Sequence, residues 1–381
     1  MPALRVLDLS RVLAGPYCAM LLADLGADVV KVERPGQGDD TRTWGPPYAG
    51  GEAAYFLAVN RGKRSVAVDL ARPEGQEVVR RLARSADVVV ENFRPGGAER
   101  LGVGYAQLAQ ERPELVYCSI TGFGDARPGY DFVVQAESGL MAVTGEADRE
   151  PVKVGVAVVD VLAGYAAATA ILAAVLERGA TGDGKRIEIS LLEVALSSLV
   201  NVAQSALVTG DEPGRYGNAH SSIVPYQTFA ASDAPLAVAG GNDALYRRLC
   251  EALERPDLRD DERFRTNPDR VAHRDELVAE LGEVFATRPA DEWVARLSRA
   301  GVPAGKVRGV LEALEGRETA TVEHPTIGRL PLVPSPLGLA TKPPPLLGEH
   351  TREVLKEAGY AAEEAVALEV AGIVTASSRS A

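Results

Sequence analysis

Apolar and polar positions change rhythm several times along the chain. Residues 4–9 (LRVLDL) form a short apolar run of strand length. Residues 10–15 read as a loop, and Pro16 sits where proline is tolerated, in the first turn of a helix ending near Gly26. Residues 28–32 (DVVKV) predict a second strand, so the first thirty residues form a βαβ unit with a parallel pair. The same alternation predicts strands at 65–69, 86–90, 115–120 and 185–190, and a helix at 73–84. Residues 191–208 predict one apolar helix.

The longest apolar stretch, residues 156–175 (VAVVDVLAGYAAATAILAAV), holds one charge, Asp160. Its alanines and glycine fit a buried helix better than a membrane span. A lone carboxylate in such surroundings costs free energy unless it caps the helix, is paired or does chemistry. As a cap it would satisfy the first free N–H groups. As a nucleophile it would be kept ionised by the same helix end. The pattern leaves both open.

The rhythm changes again near Gly210. Residues 211–218 are a polar connector, residues 236–239 a short strand, and charged helices run from about 243 to 299. Short strands return from 323, then Pro343-Pro344-Pro345 and a helix from Thr351; residues 377–381 should fray. The expected layout is a large α/β domain over 1–210, a connector and small domain over 211–322, and a return to the large domain over 323–381.

Composition narrows the chemistry. A net charge of −12 and a pI near 5.0 argue against nucleic acid as a partner. Residues 1–20 carry no secretory pattern. The three cysteines are scattered and suggest neither disulfides nor a metal site, and the four histidines lie far apart, so no metal is expected. A reducing cytoplasm suits this. The turn after the first strand lacks G-x-G-x-x-G, so no nicotinamide fingerprint is present. The loop 33–55 is rich in Gly, Pro and Asp and contains Trp44, and loops of that length are often functional. The turn Asn60-Arg61-Gly62-Lys63-Arg64 reads as either a solvated turn or a phosphate-contacting patch.

Several segments together resemble one family. They are residues 12–33 (VLAGPYCAMLLADLGADVVKVE), 60–65 (NRGKRS), 87–97 (DVVVENFRPGG), 129–145, Asp160, and 343–351 (PPPLLGEHT). They resemble the family III coenzyme A transferases of the formyl-CoA and carnitine type. Residues 216–229 (YGNAHSSIVPYQTF) are similar to the succinyl-CoA:glutarate branch. The resemblance implies a doubly wound, Rossmann-like large domain with an inserted small α+β domain, in two interlocked chains. It implies an acyl-CoA and a carboxylic acid as substrates, with no membrane partner. It places the nucleophile on Asp160, about thirty residues after the pair Tyr130-Asp131.

The family's coenzyme-binding positions fall on Val12, Leu13, Ala14 and Arg34. They fall further on Val68, Asp69, Leu70 and Ala71, on Asn92, Phe93, Arg94 and Arg100, and on Gly129, Tyr130 and Asp131. Its acyl-pocket aromatics fall on Trp44 and Tyr55, and its glycine loop on Gly240 and Gly241. His220 and Ser221 could hold a second carboxylate or merely join two domains. Two relatives in chemistry stay open beside the transferase: an α-methylacyl-CoA racemase of the same fold, and a non-catalytic nucleotide-binding scaffold.

Overall fold

A computed structural model describes residues 4–317, 319–338 and 342–377; most of the tail expected to fray, residues 378–381, lies outside them. The chain forms two compact units.

The first unit comprises Met1–Leu140, Lys153–Asp211 and Glu318–Ala381. Six parallel strands run through it: β1 (Arg5–Asp8), β2 (Asp28–Glu33), β3 (Lys63–Val68), β4 (Val88–Glu91), β5 (Val116–Thr121) and β6 (Lys185–Ser190). They lie in the order β3-β2-β1-β4-β5-β6, and Val374–Thr375 adds an antiparallel edge beside β3. That order reverses between β1 and β4, which makes their carboxyl ends a topological switch point. Alternate residues of one strand feed opposite layers. Val6, Val88 and Val90 pack on one face with Cys18, Ala163 and Ile171. Leu7 and Val89 pack on the other with Val78, Val79 and Leu82. Burying each large aliphatic side chain contributes roughly 1.5–3 kcal/mol.

Helix α1 (Ala14–Asp24) follows β1, α2 (Pro73–Ser85) follows β3, and α3 (Asp131–Glu137) precedes α4 (Val158–Thr181). The last is long and apolar enough to cross a bilayer by length and composition. Here Val159, Ala163, Gly164, Ala167, Ala168, Ile171 and Ala174 make a buried stripe at helical spacing. Gly164 is what lets α1 and α4 meet. A Cβ there would lie 2.8 Å from Tyr17 Cδ1 and 3.1 Å from the Ala14 carbonyl oxygen.

The expected single helix at 191–208 is two helices, α5 (Leu191–Ser198) and α6 (Val200–Thr209), bent by 77°. Ser197 and Ser198 donate their hydroxyls back to the Val194 and Ala195 carbonyls at 2.9 and 2.7 Å. Those bonds compete with the helix ladder, and Val200 then turns to φ +35°.

The second unit comprises Met141–Val152 and Glu212–Arg317. Strands β7 (Tyr226–Ala230), β8 (Pro235–Ala239) and β9 (Ala304–Lys306) form an antiparallel sheet in the order β9-β8-β7. Phe229, Phe285 and Trp293 stack in its core, and the Trp293 indole donates to the Phe285 carbonyl at 2.9 Å. Met141–Val152, which sequence alone left in the large domain, is held here by Arg215. Its guanidinium donates to the carbonyls of Ala142, Glu146, Ala147 and Arg149.

Candidate active site

The loop from β1 to α1 opens at the switch point, and its shape is over-determined. Val12 has φ +72°, a region a β-branched residue rarely enters. Two side chains hold it there. Asn92, just past β4, accepts from the Arg11 N–H at 2.8 Å and donates to the Arg11 carbonyl at 2.7 Å. Asp39 accepts from the Val12 N–H at 3.3 Å. Below them lie two buried ammonium groups. Lys31 donates to the Ser10 carbonyl at 2.8 Å and pairs with Asp39 at 2.8 Å. Lys63 donates to the Pro16 carbonyl at 2.8 Å and to Asp8 and Asn60, both at 2.9 Å. Burial pulls Lys63 down to about 8 against the attraction of Asp8. Strain of this kind persists where surrounding structure enforces it, and it clusters at functional sites.

Neither reading of the basic turn at 60–64 fits these contacts. Its cations are buried and paired inside: Lys63 as above, Arg61 bidentate on Asp24 at 2.6 and 2.9 Å, and Arg64 on Asp28, Glu353 and Glu357. The turn is a structural joint, not a phosphate patch.

Asp160 lies in the first turn of α4 and makes no cap; Ala157 is at the cap position. The helix end is satisfied from a distance. Asp131, buried at the start of α3, accepts from the Val159 and Asp160 N–H groups at 2.8 and 3.3 Å, and from Gln135 at 2.6 Å. The Asp131 carboxylate is thereby committed to holding α4, where the resemblance had put it among coenzyme contacts. Burial, and then the charge of Asp131, push Asp160 up to about 7. This corrects the expectation that the helix end keeps it firmly ionised: desolvation outweighs a dipole worth about 0.3–1 kcal/mol.

Asp160 faces a cavity of about 250 Å³. Val12, Leu13, Ala14, Asn92, Phe93, Arg94, Gly129 and Tyr130 line it, all positions expected from the sequence. Gly129 packs its Cα on Gly122, where a Cβ would come within 2.7 Å. A second cavity of about 310 Å³ is lined by Arg34, Val68, Asp69, Leu70 and Ala71, again as expected. Arg11 and Phe93 line both cavities, so the two adjoin. Arg11, Asp40, Arg127 and Leu101 are wall residues that sequence reasoning missed; nothing in their local pattern distinguishes them. Arg94 is exposed on the wall of the first cavity. Arg100 is also exposed and lines neither.

Trp44 and Tyr55 meet edge to face with centroids 5.3 Å apart. Burial, and then the charge of Asp160, push the Tyr55 hydroxyl up to about 12; neither ring is among the residues that line the Asp160 cavity.

The remaining expected residues belong to the second unit. His220 accepts from the Ser222 N–H at 3.1 Å and stacks edge-on against Tyr226. The Ser221 carbonyl accepts from Arg274 at 2.7 Å. The Gly240 N–H donates to the Pro225 carbonyl at 2.9 Å, so that donor is already engaged. A Cβ on Gly241 would lie 1.9 Å from Ile223 Cγ2, which explains this glycine by close packing alone. Among the described residues, no group of three or more His, Cys, Asp or Glu converges as metal ligands.

Comparison with known proteins places these features in a family. The pattern of CoA-transferase family III matches residues 2–351. The succinyl-CoA:glutarate CoA-transferase of Mus musculus is 43% identical over 371 residues, covering 93% of this chain and 85% of that one. The succinate–glutarate CoA-transferase of Agrobacterium fabrum is 43% identical over 382 residues, covering 93% and 94%. A crystal structure of a CAIB/BAIF family protein from Brucella suis superposes with a TM-score of 0.82 at 41% identity, covering 93% and 98%.

Proposed function

The chain belongs to CoA-transferase family III, and from that premise we propose that it moves CoA from succinyl-CoA to a dicarboxylate through an aspartyl-CoA thioester on Asp160. The observation that carries the reading is the placement of Asp160. It is a carboxylate on the wall of a cavity whose other walls are the switch-point loops after β1, β4 and β5.

The chemistry runs in balanced steps. An ionised Asp160 oxygen attacks the donor thioester carbonyl, the C–S bond breaks, and a mixed anhydride and CoA thiolate result. The thiolate attacks the Asp160 carbonyl carbon, the anhydride C–O bond breaks, and the donor acid leaves. An acceptor carboxylate then repeats both steps in reverse. This is covalent catalysis helped by positioning. Both intermediates hydrolyse if water reaches them, so a walled site matters. The two adjoining cavities suit an extended ligand, and Arg34 and Arg94 on their walls suit its phosphates; Arg100 is exposed outside both cavities and is proposed to reach a phosphate from there. The glutarate-using relatives support a short dicarboxylate as acceptor. The likeness of residues 216–229 to the glutarate-using branch supports a part for His220 and Ser221 in the choice of acceptor.

A homodimer completes the proposal. Leu176, Leu207 and Val208 are largely exposed apolar side chains, which supports a covering partner. Light scattering at micromolar concentration tests this, and the mass of a single chain would refute it. The racemase alternative lacks support, because among the described residues no imidazole lines the Asp160 cavity. The scaffold alternative is set aside by membership in an enzyme family.

The deciding experiment incubates the enzyme with succinyl-CoA and measures intact mass, with hydroxylamine trapping. A CoA adduct that becomes a hydroxamate on the Asp160 peptide is expected. Absence of any adduct, together with near-normal turnover in Asp160→Ala, would remove the assignment.

A further inference from the structure

The two cavities adjoin at Arg11, and one acidic side chain stands at that junction. Asp40 lines the first cavity and pairs with Arg11 Nη1 at 3.2 Å through Oδ2. Its other oxygen pairs with Nη2 of Arg34, a residue of the second cavity, at 2.8 Å. All three side chains are partly open to solvent, at 39%, 40% and 48% for Arg11, Asp40 and Arg34. Arg34 also reaches the Gln37 amide oxygen at 3.4 Å.

The fold does not need this carboxylate. Asp40 begins a short turn at Asp40–Thr43, but the side chain that caps the turn is Asp39, which accepts from the Thr41 N–H. Asp40 contributes to the turn through its carbonyl, which accepts from the Thr43 hydroxyl at 3.0 Å. Among the described residues its carboxylate pairs only with the two arginines, and it leaves most of their N–H donors unused, since each guanidinium has five.

We propose that Asp40 is a built-in competitor for the phosphate groups of the coenzyme. The inference rests on the proposed CoA-transferase reading of these cavities. Asp40 orders Arg11 and Arg34 across the junction, and its charge offsets one of their two. An entering phosphate must share the guanidinium donors with the carboxylate or displace it. The coenzyme is therefore oriented by two arginines yet held more loosely than two arginines alone would hold it. A transferase that must release one acyl-CoA after binding another benefits from that balance.

Calorimetric titration of CoA and of pantetheine, which lacks the phosphates, tests this on wild type, Asp40→Asn and Asp40→Ala. Asparagine removes the charge and keeps an oxygen that accepts from an arginine. Asp40→Asn should bind CoA about three- to tenfold tighter at low salt, from one fewer nearby negative charge. The gain should fade at high salt, where such attraction is screened. Pantetheine affinity should not change. Asp40→Ala should bind CoA less tightly than Asp40→Asn, because it also loses the ordering contact. The competitor role is overturned if Asp40→Asn binds CoA no tighter than wild type, or if pantetheine gains equally. The ordering role is overturned if alanine and asparagine behave alike. Wild type that binds no CoA would sink the proposed function, and this inference with it. Wild type that binds CoA while Asp40→Asn gains nothing sinks this inference alone.

Discussion

Replacing Asp160 by asparagine should make the protein more stable at neutral pH, although it removes the proposed nucleophile. The folded state raises Asp160 from 3.8 to about 7. Below about pH 4 the residue is protonated in both the folded and the unfolded chain, and it costs nothing. Between about pH 4 and pH 7 the unfolded chain releases the proton while the folded chain keeps it, so stability falls as pH rises. Above pH 7 the penalty is complete. Three decades of proton affinity correspond to about 4 kcal/mol, an upper bound. Access of water through the cavity reduces this to about 1–3 kcal/mol. Asparagine also forfeits a favourable charge in the first turn of α4, worth about 0.3–1 kcal/mol. At the middle of these ranges the balance favours the variant by about 1.4 kcal/mol, or roughly 3–5 °C in melting temperature for a domain of this size. Thermal unfolding of the ligand-free enzyme at pH 8 and pH 4 reads the effect. The gain should be present at pH 8 and nearly absent at pH 4. An unchanged or lower melting temperature at pH 8, or the same gain at both pH values, would refute the desolvation argument.

Further outcomes follow from contacts at and below the site. kcat/KM should rise with pH to a plateau above about 7, as Asp160 ionises, and Asp131→Asn should move that limb to lower pH while its oxygen still accepts from Val159; a limb that stays in place would deny the coupling. Lys63→Met should cost about 3 kcal/mol in chemical denaturation by leaving buried Asp8 with Lys31, 3.9 Å away, as its counter-charge, whereas Arg94→Ala should leave stability unchanged and weaken CoA binding, and the reverse pattern would overturn both assignments.

The frame was legible because burial on both faces of a parallel sheet leaves continuous apolar runs, and β4 and β5 carry them. Asp160 was legible because it is the single acid in a stretch of twenty otherwise uncharged residues. What stayed hidden were the partners. The capping of α4 joins residues 28 apart, and the Arg11–Asn92 clamp joins residues 81 apart. No local pattern carries such pairings, so Asp131 read as a ligand contact and Asp40 did not read at all. The break at Leu199 was hidden for another reason. Apolar periodicity continues through it, and only the serine hydroxyls turned back on their own helix give it away.

The allocation of charge explains how an acidic chain can serve a polyanionic ligand. Proximity in sequence suggested that the cations of residues 60–64 face solvent. The fold instead uses Lys63 to fix the loop from β1 to α1, Arg61 to anchor Asp24 and Arg64 to bind the acids near the chain end. Each is buried or nearly so, where leaving it unpaired would cost several kcal/mol. Arg94 and Arg100 have no side-chain partner among the described residues and are exposed near the switch point; Arg11 and Arg34 share the single carboxylate of Asp40. Acids outnumber bases in both units, and many of them, such as Asp260 and Glu262, lie on the surface. Net charge is a sum over the whole molecule, but at an ionic strength near 0.15 M its reach is about 8 Å. Arg11, Arg94 and Arg127 line the first cavity against the carboxylates of Asp40 and Asp160, and it is there, rather than in the total of −12, that affinity for a phosphate is decided.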